Sequence, residues 1–315
     1  MISVQDLKIH YGNFVAVDQL TFQVEKGSVY GLIGPNGAGK TTTIKALATL
    51  LEPTYGEIKL GDVSVLNEPE EARKILGYMP DFPPVYDDLR VDEFCDLFAH
   101  VYGLDSNQRK SKVEECLGLT DLLDKRKALC KSLSRGMKQR ALLAKTLVHD
   151  PEVLLLDEPA ANLDPKARID LRNLLRKLAS EGKTVLVSSH VLSELQDLCD
   201  TIGIMKDGTM IHSGTIDEIS EKTNPARTVQ VHLTEALDGI EGCLKDFPDI
   251  SSFHAVDEDK KRFEFIHEGT NQVEAEVLSF LVGKGAKIYR FEPKQSKVED
   301  LFLQVESENR KGEKE

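Results

Sequence analysis

The chain has no apolar run approaching the ~18–20 residues needed to cross a bilayer. Its first residues run straight into Ile2-Ser3-Val4-Gln5-Asp6-Leu7, without the basic start and apolar centre of a signal peptide. A role at a membrane would therefore mean docking from the cytosol onto a partner. Paired cysteines are missing too: Cys95, Cys116, Cys130, Cys199 and Cys243 are scattered and odd in number, with no C-x-x-C. That pattern suits reduced structural thiols in a cytosolic protein far better than a disulfide framework or a metal site. No basic excess exists, since 40 Lys and Arg face 53 Asp and Glu for a net charge of −13. A nucleic-acid partner is thereby disfavoured, because a binder carries a basic footprint. No internal repeat is visible.

What is present is the run Gly34-Pro35-Asn36-Gly37-Ala38-Gly39-Lys40-Thr41. It fits G-x-x-x-x-G-K-[ST], the phosphate-binding loop of nucleotide-hydrolysing proteins, and fixes the ligand class as a nucleoside triphosphate with Mg²⁺. Glycines let backbone N–H groups turn inward around phosphate oxygens. Lys40 brings positive charge to the β- and γ-phosphates, and the Thr41 hydroxyl suits Mg²⁺. Thr42 completes the expected nucleotide contacts. Ser28 to Ile33 reads as a buried strand before the loop, and Lys40 to Leu51 as a helix after it, whose N-terminus favours anions.

Val153-Leu154-Leu155-Leu156-Asp157-Glu158 reads as an apolar strand ending in two carboxylates. Strand C-termini gather around the ligand crevice of an α/β sheet. Asp157 suits the Mg²⁺ shell, and Glu158 suits the base that orients the attacking water. Successive strand residues point to opposite sides, so both reach one site only if the chain turns there.

Strand-like alternation fills residues 1–33, with a further short strand at 57–60. Helical spacing marks 92–102, 106–117 and 135–149, inside a helical stretch from about 83 to 150. Strand 153–157, helix 165–180, strand 184–188, helix 193–200 and a hairpin turning at Asp207-Gly208 follow. Strands alternating with helices imply a largely parallel sheet covered on both faces. Beyond a linker near 222–225, strands 228–233, 252–257, 262–267 and 287–292 with helices 236–247 and 271–284 give the order βαββαβ of a ferredoxin-like domain. A helix at about 296–306 and a charged tail at 307–315 end the chain.

Leu133-Ser134-Arg135-Gly136-Met137-Lys138-Gln139-Arg140 resembles the signature segment of the ATP-binding cassette (ABC) ATPases, usually L-S-G-G-Q. The family's other motifs follow in order over roughly residues 1–220. The resemblance makes Tyr11 the aromatic that stacks on adenine and Gly77 to Asp81 the loop that usually presents a glutamine. It makes Asn162-Leu163-Asp164-Pro165 the dimer-interface loop, and His190, in Ser188-Ser189-His190, the switch histidine on the γ-phosphate. It assigns Ser134 and Gly136 to phosphate contacts across a head-to-tail dimer. It implies an α/β P-loop NTPase domain at 1–222 with a helical signature subdomain, beside the small α+β domain at 226–306 read from the strand and helix pattern. The implied function is an ATPase subunit powering a separate transmembrane permease, most like exporter subunits of the ABC-2 type. Such a subunit pairs with a copy or a homologue at the cytosolic face of the membrane.

Arg135 and Met137 depart from the usual signature, and Asp81 stands where glutamine is usual. A soluble ABC ATPase of translation or DNA maintenance stays open as an alternative, although one cassette and no sustained heptads speak against it. A nucleotide-gated regulator that barely hydrolyses ATP is a third reading, opposed by the intact Glu158.

Overall fold

The computed structural model describes residues 1–294 except 82–84, 162, 197, 217, 220–226, 237–243, 245–246, 248–249, 258, 260 and 268–270. The chain divides into two compact units, Met1–Ile216 and Asp217–Glu315.

The first unit holds two sheets. Strands β1 (Ile2–Tyr11), β2 (Phe14–Val24), β4 (Tyr55–Leu60) and β5 (Val63–Ser64) form an antiparallel sheet in the order β2-β1-β4-β5. The second sheet joins β3 (Val29–Ile33), β6 (Leu76–Met79), β7 (Val153–Asp157), β8 (Thr184–Ser189), β9 (Thr201–Lys206) and β10 (Thr209–Gly214). Its order is β10-β9-β3-β8-β7-β6, parallel throughout except for the β9–β10 hairpin. Every residue of β3, β7 and β8 is buried, as expected of parallel strands covered on both faces. Phe22 and Tyr30 stack at 5.2 Å in the core that the two sheets share.

Helices α1 (Lys40–Leu47), α2 (Pro69–Ile75), α6 (Pro165–Ser180) and α7 (Leu192–Gln196) connect the strands. Helices α3 (Val91–Val101), α4 (Ser106–Leu119) and α5 (Arg135–Leu147) pack on one another as a helical layer, with α5 against β6. Local chemistry starts each where the sequence changes. Asp105 caps α4 with Gln108 closing the box, Ser134 caps α5, and Asp164 caps α6 ahead of Pro165.

Several elements differ from the sequence expectation. Residues 76–79, read as part of a loop, form β6 beside β7. Helix α1 stops at Leu47 rather than Leu51, and Thr49 then takes a left-handed φ of 62°. Helix α7 ends at Gln196, short of residue 200. A helix at 69–75 was not expected from the sequence.

In the second unit, β11 (Arg227–Leu233), β12 (Ile250–Ala255), β13 (Arg262–His267) and β14 (Ile288–Lys294) form an antiparallel sheet in the order β12-β13-β11-β14. Helix α8 (Asn271–Gly283) links β13 to β14, and Val277 and Leu281 pack with Val229, Val231 and Phe265. This order, with β11 and β13 at the centre, is that of a split βαβ fold. Most of the helix expected at 236–247, the helix at 296–306 and the tail lie outside the described residues.

Candidate functional site

The loop between β3 and α1 is shaped by its glycines. A Cβ at Gly34 would drive into the Met205 carbonyl oxygen, and one at Gly39, where φ is 99°, would sit 2.7 Å from the Ala16 carbonyl. Gly37 also has a positive φ, 85°, but faces open space. Pro35 and Ala38 are buried, while Asn36 and Gly37 are exposed at the loop's crest. The concavity is lined by backbone, and the free N–H groups of the first turn of α1 open into it.

Lys40 is 6% exposed and folds back over the loop, its Nζ donating to the carbonyls of Gly34 at 2.7 Å and Pro35 at 3.1 Å. Burial pulls its pKa below the ordinary lysine value, and the charges of Glu158 and Asp157 push it back up. Thr41 is exposed and donates through Oγ1 to Asp157 Oδ1 at 3.2 Å. Thr42, next on α1, is half-buried.

Asp157 ends β7 almost wholly buried, directly opposite Ser188 of β8. The Ser188 hydroxyl donates to Asp157 Oδ1 and accepts the Glu158 N–H at 3.0 Å. Glu158 has a left-handed φ of 51°. That turn breaks the strand alternation, so the carboxylates of adjacent residues reach one site. His190 Nδ1 lies 3.0 Å from Glu158 Oε2. Burial raises the Glu158 pKa above the ordinary carboxylate value, and His190 opposes the rise.

Asp81 follows β6. Its Oδ1 is buried without a hydrogen-bond partner among the described residues, as is the Tyr78 hydroxyl. Burial and the nearby Asp157 raise the Asp81 pKa, and burial with Asp157 and Asp81 lifts Tyr78 to about 12. An orphaned carboxylate oxygen near Asp157, which itself holds the Thr41 hydroxyl, makes a hard-oxygen donor set. It fits Mg²⁺, which takes one or two carboxylates and fills its shell with phosphate and water. Among the described residues no three His, Cys, Asp or Glu form a cation cage by themselves.

Other predicted residues stand apart from this cluster. Ser134 is exposed at the start of α5, its Oγ accepting the Met137 N–H at 3.3 Å, and Gly136 is half-buried beside Leu163. Neither hydrogen-bonds the phosphate loop among the described residues. Tyr11 is exposed at the β1–β2 turn, on the hairpin whose Ala16 and Val17 abut Gly39. Asn162 lies outside the described residues, and Leu163 beside it is buried.

Two contributors escape the sequence reading. Ser188 ties the Asp157 carboxylate to the Glu158 backbone N–H, whereas the sequence shows it only as a neighbour of His190. Gln139 donates through Nε2 to the carbonyls of Glu158 at 3.2 Å and Pro159 at 2.7 Å, tying the signature helix to the loop after β7. Its position inside the signature run was the only available signal.

The ABC transporter family model matches residues 17–161. The chain is 34% identical over 307 residues to an uncharacterized ABC transporter ATP-binding protein, YxlF, of Bacillus subtilis, covering 97% of this chain and 99% of that one. It is 31% identical over 305 residues to a Nod factor export ATP-binding protein I of Cupriavidus metallidurans, covering 97% of each. A solved structure described as a dimeric bacterial ABC transporter cassette superposes with a TM-score of 0.63 at 25% identity, over 68% of this chain and 98% of that chain. This chain belongs to the ATP-binding proteins of ABC transporters, and it is an ATPase of that family.

Proposed function

We propose that this family member works as a pair of copies, or with a homologue, whose ATP-driven closure powers export by a separate transmembrane permease. The observation that carries the reading is the convergence of Lys40, Thr41, Asp157, Glu158 and His190 at the mouth of the glycine loop. The loop amides and Lys40 hold the β- and γ-phosphates, and Tyr11 stacks on the adenine. Thr41 and Asp157, with Asp81 alongside, hold Mg²⁺, which supplies charge neutralisation at the phosphate oxygens.

Glu158 accepts a proton from the water that attacks the γ-phosphorus, while the bond to the β–γ bridging oxygen breaks and ADP leaves. His190 holds the Glu158 carboxylate and, with nucleotide bound, reaches the γ-phosphate. Gln139 and Ser188 keep the turn at Glu158 in place. Ser134 and Gly136 make no hydrogen bond to their own loop among the described residues, which supports their service to ATP held by the partner copy. ATP then bridges two copies, and its differential contacts in open and closed pairs drive the permease.

The relative named for Nod factor export supports the direction of transport. No helix among the described residues is long and apolar enough to cross a membrane. An exposed apolar surface at Tyr86, Leu97, Val101 and Tyr102 suits a permease's cytosolic helix. Tyr86 stacks over Phe98 and meets Phe94 edge-on. Phe82 to Pro84, which shortly precede Tyr86 in the sequence, lie outside the described residues. The net charge of −13 disfavours a nucleic-acid partner.

Gentle detergent extraction of the tagged protein, with mass spectrometry of its companions, tests the assembly. A stoichiometric polytopic protein should co-purify with the wild type and be depleted with Tyr86→Asp. A protein recovered alone, or with ribosomal or DNA-repair components, would contradict the transporter role.

A further inference from the structure

Arg168 lies on α6, away from the phosphate loop, yet its guanidinium joins two parts of the site. Its Nε donates to the Leu163 carbonyl at 3.1 Å, and its NH1 lies 3.3 Å from Glu194 Oε1. The Glu194 side chain is only 8% exposed, and its other oxygen accepts the Ser189 hydroxyl at 2.8 Å. Ser189 Oγ in turn accepts the Val191 N–H at 3.0 Å. These bonds close over the turn that carries His190, whose Nδ1 meets Glu158.

We propose that Arg168 and Glu194 are positioning residues that make the placement of His190 depend on the loop at Leu163, so that hydrolysis waits for that loop to seat against the partner copy. The inference rests on the roles given above to His190 and to the loop at Leu163. Two features set this link apart from ordinary packing. The guanidinium uses separate N–H groups on a backbone carbonyl and a carboxylate, a bridge that a single ammonium cannot span. Arg168 is itself 45% exposed on its side chain and Glu194 keeps the Ser189 hydroxyl without it, so its loss should register in turnover more than in folding.

The test measures kcat, KM, ATP affinity and the unfolding midpoint of the full chain for Arg168→Met, Arg168→Lys and Glu194→Gln, beside Glu158→Gln. Arg168→Met should lower kcat about tenfold or more, since small displacements of a catalytic group are costly. Its ATP affinity should stay within about twofold and its unfolding midpoint should hold. Arg168→Lys should resemble Arg168→Met. Glu194→Gln keeps an oxygen for Arg168 and turns its NH2 toward the Ser189 hydroxyl, which can accept, so it should lose no more than about threefold. Wild-type kcat in Arg168→Met overturns the proposal, and so does a loss of turnover that tracks lost ATP affinity or lost stability. Wild-type turnover in Glu158→Gln would instead overturn the underlying reading of the site.

Discussion

At the scale of single residues, the site depends on backbone that side chains would spoil and on one turn that breaks a strand. The glycine loop, Lys40, Thr41, Asp157 and Glu158 were legible in the sequence because their spacing is local. Ser188 and Gln139 were not, because their roles exist only once β8 and α5 lie beside the end of β7. The two-carboxylate puzzle at Asp157-Glu158 is resolved by a φ of 51° that no residue pattern announces. The glycines should not be equivalent. Gly34→Ala must displace the Met205 carbonyl and should weaken ATP binding by more than about tenfold, as a nucleotide titration would read. Gly37→Ala meets open space and carries only the cost of its positive φ, about 1–2 kcal/mol, so it should be the milder variant.

At the scale of elements, long periodic segments were readable and short ones were not. Helices α3, α4 and α5 were placed within a few residues because each repeats its apolar positions over several turns. Strand β6 was missed because four residues containing a glycine give too little alternation to see. Where the helical layer meets β6, His149 stacks flat on Tyr102 at 3.7 Å, and its Nε2 donates to the Leu76 carbonyl at 3.0 Å. Burial lowers the His149 pKa below the ordinary value, so the fold holds it neutral. The unfolded chain takes up a proton near pH 6.5, so stability is lost as pH falls from there toward the lowered native value. His149→Phe keeps a ring for the stack. The gap between its denaturation midpoints at about pH 7.5 and about pH 5.5 should be smaller than in the wild type.

At the scale of the whole molecule, the order of motifs disclosed the family, and the alternation of strands and helices disclosed the parallel sheet. The separate antiparallel sheet in the first unit was less legible, because its strands are interleaved in sequence with those of the other sheet. The C-terminal unit has a strand order but no constellation of catalytic residues among those described, which leaves the chemistry with the first unit. With one phosphate loop and one signature segment per chain, and no hydrogen bond from Ser134 or Gly136 to that loop among the described residues, the proposed site is one that a second copy completes. The most direct measurement is the solution mass of Glu158→Gln with and without Mg²⁺ and ATP. The variant should bind ATP, lose turnover by about a hundredfold or more, and shift from the mass of one chain to that of two when ATP is added. A single-chain mass at saturating ATP, in a variant that demonstrably binds it, would contradict ATP-driven pairing of this chain with itself.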